Sequence, residues 1–472
     1  MQRDFVAKAL NLPEPTVGPS QFSGWTTDSR KIRPGCLFIA IPGEKFDGHD
    51  FIEAALRQGA GGILAHAGTR EKFSSSSAAF FEVPDTLEAF RKLGHEWRNR
   101  FSGPVVLIAG SVGKTTTKEI FSALLRGKFQ EVLRTSGSQN GFVGIPMTLL
   151  EIDPTLHRAA VVEVGIDEIG AMAKHLELVR ADAGILTPIA PEHLEKLIDL
   201  PTVAREETLA LQEIDSRQGI TAVSLDDPWL QPLCQETPKG QRVYFSLQGA
   251  PAPKGREAQV LRGKLDSTAT KLSLQGLGLD GTELPLPLPG DHNALNLLGA
   301  CTLARALGLD ATQLRAGLAT FSGAAGRSEI RQSRRGNTVI CDYYNASPAS
   351  VAAGLALLER TAQSREAGGA SRKLAVLGDM LELGPQELSF HRDLAAPLAR
   401  HGVARVFLYG PRMRALHEAL QSQSQTIQSS HFDTHEDLAR ALLGELLSED
   451  TLLIKGSRGM RMEEIWKRME ST

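Results

Sequence analysis

The sequence is short of cysteine, of net charge and of long apolar runs. Its four cysteines, Cys36, Cys234, Cys301 and Cys341, lie far apart among 472 residues, with no CxxC pair and no zinc spacing. That excludes a disulfide framework and a cysteine zinc site, and reads as reduced thiols. Lys+Arg of 52 against Asp+Glu of 55 leave a net charge of −3. This balance supports neither a nucleic-acid surface nor an anionic-membrane surface, although a local basic pocket stays open. The opening MQRDFVAKALNLPEP has no secretory apolar core, and no apolar run approaches membrane-spanning length. The expectation is a cytoplasmic chain with no nucleic-acid or membrane partner, and nothing in it demands more than a monomer.

What is present is an ordinary globular composition, 42% hydrophobic and 23% charged, over a length that suits roughly three domains. Composition breaks after Phe101-Ser-Gly-Pro104 and around residues 318–327 set expected domains of 1–102, 103–317 and 318–472, with hinges near 102–104 and 318–326. A third break, at 364–372, reads as an exposed loop within the last domain. Buried-strand runs at 105–109, 159–164 and 183–187 alternate with helical periodicity, which predicts βαβ units and a largely parallel sheet. The last domain repeats the theme at 338–341, 374–377, 406–409 and 451–455. Between 249 and 288, alternation with Gly and Pro suggests a β-ribbon on the central domain's flank. The fold class is α/β.

The strongest chemical signal is Gly110-Ser111-Val112-Gly113-Lys114-Thr115-Thr116, directly after a strand and opening a helix. A glycine turn at a helix N-terminus presents backbone N–H groups and positive partial charge to phosphate oxygens. Lys114 would reach the terminal phosphates and the Thr115 hydroxyl a Mg²⁺ ion. Ile108 stands where the longer Walker pattern has glycine, so the match is to GxxGK[ST]. Such a loop identifies a nucleotide site without identifying the reaction.

Further segments do that. Thr27-Asp-Ser-Arg30, Pro34-Gly-Cys-Leu-Phe38, Gly43-Glu-Lys-Phe-Asp-Gly-His49, Gly290-Asp-His-Asn-Ala-Leu-Asn296, Gly326-Arg327, Asp342-Tyr-Tyr-Asn-Ala-Ser-Pro348, Leu377-Gly-Asp-Met-Leu-Glu382 and Lys455-Gly-Ser-Arg458 occur in order. With the loop, they resemble the Mur ligases of peptidoglycan synthesis, most nearly the type that adds D-alanyl-D-alanine. The resemblance implies an N-terminal UDP-substrate α/β domain, a central P-loop parallel-sheet ATPase domain and a C-terminal Rossmann-like α/β domain. It implies ATP and Mg²⁺ as cofactors, with UDP-N-acetylmuramoyl-tripeptide and D-alanyl-D-alanine as substrates. ATP would phosphorylate the tripeptide carboxylate and the dipeptide amine would displace phosphate. Such chemistry rests on positioning and charge neutralisation, not on a protein nucleophile.

Residue by residue, the resemblance implies that Lys114 and Thr115 hold phosphates and a first ion, with Glu163 a ligand of that ion and His193 a ligand of a second. Asn293 would lie by the adenine, Arg327 by a phosphate and Asp342 by the ribose. Ser29 and Arg30 would face the uridine diphosphate, while Asn140, Asn345 and Ser347 would contact substrate. Plainer alternatives are a water-facing charge for Glu163, a capped turn for Thr27–Arg30, and helix-start caps for Asp379 and Glu382.

The chain departs from the family in its helix after His193. Many members carry a carbamylated lysine there, but no lysine falls between Lys196 and Lys239, and Glu207 takes the register. Either Glu207 supplies that negative charge itself, through water because it is roughly 4 Å shorter, or it is a solvated helix charge. Ser138 and Pro188 are further departures, and they leave another acceptor open. A folylpolyglutamate-type ligase or a non-catalytic nucleotide binder are the remaining readings.

Overall fold

A computed structural model describes residues 1–471 apart from 44, 324, 365–370 and 424–426. Most of the loop expected at 364–372, Ala324 of the 318–326 junction and Glu44 of the 43–49 motif therefore lie outside the described residues.

Three sheets follow one another along the chain. The first has four parallel strands, Trp25–Thr26, Leu37–Ile39, Gly62–His66 and Ala79–Val83, in sequence order. The second has nine. Third from one edge is Val105–Ala109, flanked by Ala159–Glu163 and Ala183–Leu186 in parallel. Every residue of these three strands is buried, which explains their continuous apolar runs, since helices cover both faces. Val260–Leu265, Lys271–Gln275 and Thr282–Pro285 form the expected ribbon at one edge, joined antiparallel to each other. The third sheet has six strands with only Glu329–Gln332 antiparallel, and Thr451–Lys455 sits between Thr338–Asp342 and Lys373–Gly378.

The first unit is clamped to the second through the helix Thr86–Arg98, which Asp85 caps by accepting from the Glu88 N–H. Trp97 Nε1 donates to the Ile152 carbonyl at 2.7 Å, and Arg98 donates to the carbonyls of Val179 and Arg180. The expected hinge at 102–104 is correspondingly tight. A Cβ on Gly103 would lie 2.6 Å from the Arg158 carbonyl oxygen, so the chain packs closely at this glycine.

Candidate functional site

The strand Val105–Ala109 delivers the chain to a turn in which Gly110 and Gly113 have φ of 107° and 96°. At Gly110 a Cβ would lie 2.4 Å from the Thr187 carbonyl oxygen, so only glycine fits. The helix Lys114–Arg126 begins immediately. The Ser111 and Val112 N–H groups both donate to the Pro188 carbonyl at 3.1 Å. Pro188 thus offers the loop an acceptor, although it lacks a donor. Lys114 folds back on the loop, donating to the Gly110 and Ser111 carbonyls and pairing with Glu192 at 3.1 Å. Burial disfavours its ammonium, but Glu192, Glu207 and Glu163 outweigh that and hold its pKa above the ordinary lysine value.

Glu163 ends the strand Ala159–Glu163 at 1% exposure, so it does not face water. Its Oε1 accepts from the Thr115 hydroxyl at 2.9 Å and from Asn140 Nδ2 at 2.8 Å, while Oε2 lies 3.3 Å from Lys118 Nζ. Ser138, a departure from the family pattern, sets its hydroxyl 2.8 Å from Thr115 Oγ1. Arg327, carried on the third unit, donates to Thr115 Oγ1 at 2.9 Å and to Ser138 Oγ at 3.2 Å. Its guanidinium lies 4.2 Å from the Tyr344 ring centroid.

Across the cleft, His193 has left-handed φ of 49° and its Nδ1 stands 2.5 Å from Glu382 Oε2. Burial disfavours the imidazolium, yet the Glu382 hydrogen bond and the Glu192 charge raise its pKa overall. Glu382 is therefore a partner of His193 and not a helix cap. Asp379 is one: it accepts from the Arg412 and Met413 N–H groups at the start of the helix Met413–Gln423.

Glu207 departs from the plainer of its two expectations. It is fully buried, not solvated, and its Oε2 accepts from the Gly110 N–H at 2.8 Å, underneath the loop and outside the cleft lining. Its Oε1 has no hydrogen-bond partner among the described residues. Burial raises its pKa to about 8, with Lys114 opposing and Glu192 adding to the rise.

One cleft of about 390 Å³ gathers these groups. Its walls include Ser111 to Thr116, Asn140, Glu163, His193, Asn293, Arg327, Asp342, Asn345 and Ser347, brought from two units of the chain. Asn293 donates to the Pro289 carbonyl at 2.7 Å, and Asp342 pairs with Lys455 at 2.6 Å. Ser347 caps the helix Pro348–Gln363. Gly110 and Glu207 lie beneath the cleft. Ser29 and Arg30 stand apart from it, on a short 3-10 turn capped by Asp28, with Arg30 bound to that carboxylate through Nε and Nη2, each at 2.9 Å.

Comparison with known proteins matches residues 21–100 to the Mur ligase family, catalytic domain; 108–304 to the Mur ligase middle domain; and 326–458 to the Mur ligase, glutamate ligase domain. A UDP-N-acetylmuramoyl-tripeptide–D-alanyl-D-alanine ligase of Synechocystis is 33% identical over 92% of this chain and 89% of its own. The Bacillus subtilis protein of the same name is 30% identical, over 97% and 95%. The chain belongs to the Mur ligase family. Among solved structures, the Thermotoga maritima MurF ligase in complex with ADP superposes with a TM-score of 0.76 at 26% identity, covering 95% of this chain and 97% of that one.

For a Mur ligase, the groups present suit a hard divalent cation. Among the described residues no three His, Cys, Asp or Glu side chains converge into a cage. Mg²⁺ needs none, since it commonly takes one or two carboxylates and completes its shell with phosphate oxygens and water. The Thr115 hydroxyl and Glu163 carboxylate, 2.9 Å apart at the loop, meet that requirement. At His193, an ion would have to displace Glu382 or take the other ring nitrogen.

Sequence reasoning missed Glu192 and Lys118, and it quoted Tyr344, Asn296 and Lys455 within motifs without giving them a role. Lys118 was within reach, because it lies four residues after Lys114 on one helix and so on nearly the same face. Glu192 offered no comparable signal, because its partner is 78 residues away.

Proposed function

We propose that this Mur ligase joins D-alanyl-D-alanine to UDP-N-acetylmuramoyl-tripeptide at the expense of ATP. The observation that carries the reading is the convergence of Lys114, Thr115, Glu163, Arg327 and Asp342 on one cleft, in a chain whose full-length relatives bear that name. In this reading, residues 1–102 hold the UDP moiety through Ser29 and Arg30, residues 103–317 the phosphates and, through Asn293, the adenine, and residues 318–472 the ribose, through Asp342, and the dipeptide.

The chemistry then follows from the side chains. Lys114 leaves Glu192 for the β- and γ-phosphate oxygens. The tripeptide carboxylate attacks the γ-phosphorus, the bond to the β-bridging oxygen breaks and ADP departs. Arg327, already beside Thr115, neutralises charge on the transferring group. The dipeptide amine attacks the acyl carbon, loses a proton, and phosphate leaves. Mg²⁺, held by Thr115 and Glu163, would supply further charge neutralisation when bound. Backbone amides and cations positioned in a partly dried cleft can supply much of such a rate acceleration.

The test is phosphate release with each acceptor and donor supplied singly and together, with the product weighed by mass spectrometry. Release that needs both, with the pentapeptide formed, is expected. Nucleotide binding without release under any combination would sink the proposal, and release with a different amine would reassign the acceptor.

A further inference from the structure

The phosphate-loop helix carries a second lysine that the reaction as described does not use. Lys118 is 0% exposed. Its Nζ donates to the Thr135 carbonyl at 2.8 Å and to the Gly137 carbonyl, lies 3.3 Å from Glu163 Oε2, and lies 3.2 Å from Glu119 Oε1. Glu119 is itself bound by Arg134, at 2.6 Å. An apolar side chain of similar volume would fill the position without removing an ammonium from water, so the charge needs a reason.

Its contacts supply one. The two carbonyls belong to the segment that carries Ser138 and Asn140, and the carboxylate is the one that Asn140 and Thr115 grip from the opposite oxygen. Thr135 adds a further tie, its hydroxyl accepting from the Glu163 N–H at 2.9 Å. Glu163 Oε2 has no hydrogen-bond partner among the described residues, so without Lys118 it loses the ion pair that faces it, and the 135–140 segment loses two of its hydrogen bonds to the helix.

We propose that Lys118 is a positioning residue that locks Glu163 and the 135–140 segment into one unit, so that the carboxylate and the Thr115 hydroxyl present a preformed pair of oxygens to the nucleotide-bound divalent ion. The proposal rests on the reading of Glu163 as a metal ligand given under Proposed function. It places Lys118 behind the ion site, where it acts through Glu163 and touches neither nucleotide nor acceptor. The same lock holds Ser138 against Thr115, and so fixes the surface on which Arg327 closes.

Binding measurements separate this from a purely structural role. ADP affinity in EDTA, measured by calorimetry, reads the loop amides and Lys114. Mn²⁺ affinity of the ADP complex, measured by loss of the free-ion paramagnetic resonance signal, reads the oxygen pair. Lys118→Met is expected to weaken Mn²⁺ binding at least tenfold while metal-free ADP affinity stays within twofold. Lys118→Arg, which keeps the charge, is expected to recover Mn²⁺ affinity to within threefold of the native value. Undiminished Mn²⁺ binding by the methionine variant, or an equal loss of metal-free ADP, overturns the proposal.

Should the methionine variant not fold, hydrogen exchange on the native protein decides. Exchange across 136–140 is expected to be slow already with ADP in EDTA and to change less than twofold on adding Mg²⁺, and fast exchange that Mg²⁺ alone suppresses overturns the lock. A native protein that binds Mn²⁺·ADP normally yet ligates no dipeptide would refute the proposed reaction and leave this inference standing.

Discussion

Glu207 gives the sharpest prediction, because its position makes two accounts of it numerically distinct. If it supplied a permanent negative charge to the reacting site, Glu207→Gln would cripple the enzyme at every pH. Its surroundings argue otherwise. The side chain is fully buried, one oxygen takes the Gly110 N–H and the other takes nothing among the described residues. Burial raises the pKa from 4.5 to about 8, with Lys114 and Glu192 pulling in opposite directions. Burial thus favours the neutral carboxyl. A neutral glutamine keeps the acceptor for Gly110 and changes little else, so turnover at pH 7 should stay within about threefold, a barrier change of under about 1 kcal/mol.

Stability should move as well. The folded pKa stands above that of the unfolded chain, so protonation favours the fold. That contribution is full below about pH 4.5 and is lost as pH rises through about 8. The native protein should therefore lose stability between pH 6 and pH 9 by an amount on the order of a few kcal/mol, and the glutamine variant should lose less. Phosphate-release kinetics and urea unfolding over that range, on both proteins, read the two effects. A hundredfold fall in turnover at pH 7, with an altered Mg²⁺ requirement, would refute the argument and restore Glu207 as a charged participant.

Arg327→Ala removes the bonds that tie the third unit to Thr115 and Ser138, and should lower kcat by about 10² with a smaller effect on nucleotide binding, measured by steady-state kinetics and calorimetry. Ile198 has φ of 71° and ψ of −62° with the Asp199 N–H bonded back to the Leu197 carbonyl, a strained turn for a β-branched residue. Ile198→Gly should stabilise the protein by about 1 kcal/mol in urea unfolding, since relief of strain outweighs the added freedom of the unfolded chain. His175 is wholly buried against Phe142 with neither ring nitrogen hydrogen-bonded among the described residues, and burial lowers its pKa to about 4. Its unfolded form takes up a proton first, so native stability is full above about pH 6.5 and falls towards about pH 4. His175→Phe should flatten that part of a melting-temperature profile.

What the sequence disclosed, and what it concealed, divides along a physical line. The phosphate loop is legible because its chemistry demands particular backbone geometry. Gly110 and Gly113 hold φ values that other residues resist, and a Cβ on either would strike Thr187 or Asn296. The parallel strands are legible because burial on both faces forces unbroken apolar runs. Glu206 and Glu207 escape the same reading. Adjacent on the helix Leu200–Ser216, both are buried, and each serves a glycine N–H far away in the chain, Glu206 that of Gly170 at 2.8 Å and Glu207 that of Gly110. Polar patterning marks such residues as solvent-facing, because it sees side-chain polarity and not the orphan amide that a turn leaves behind. Lys118 escapes for the matching reason, since its acceptors are carbonyls of a segment with no regular structure. The groups hardest to find in this chain are therefore those that hold the reacting groups in place, because their partners are backbone atoms whose positions exist only after the fold does.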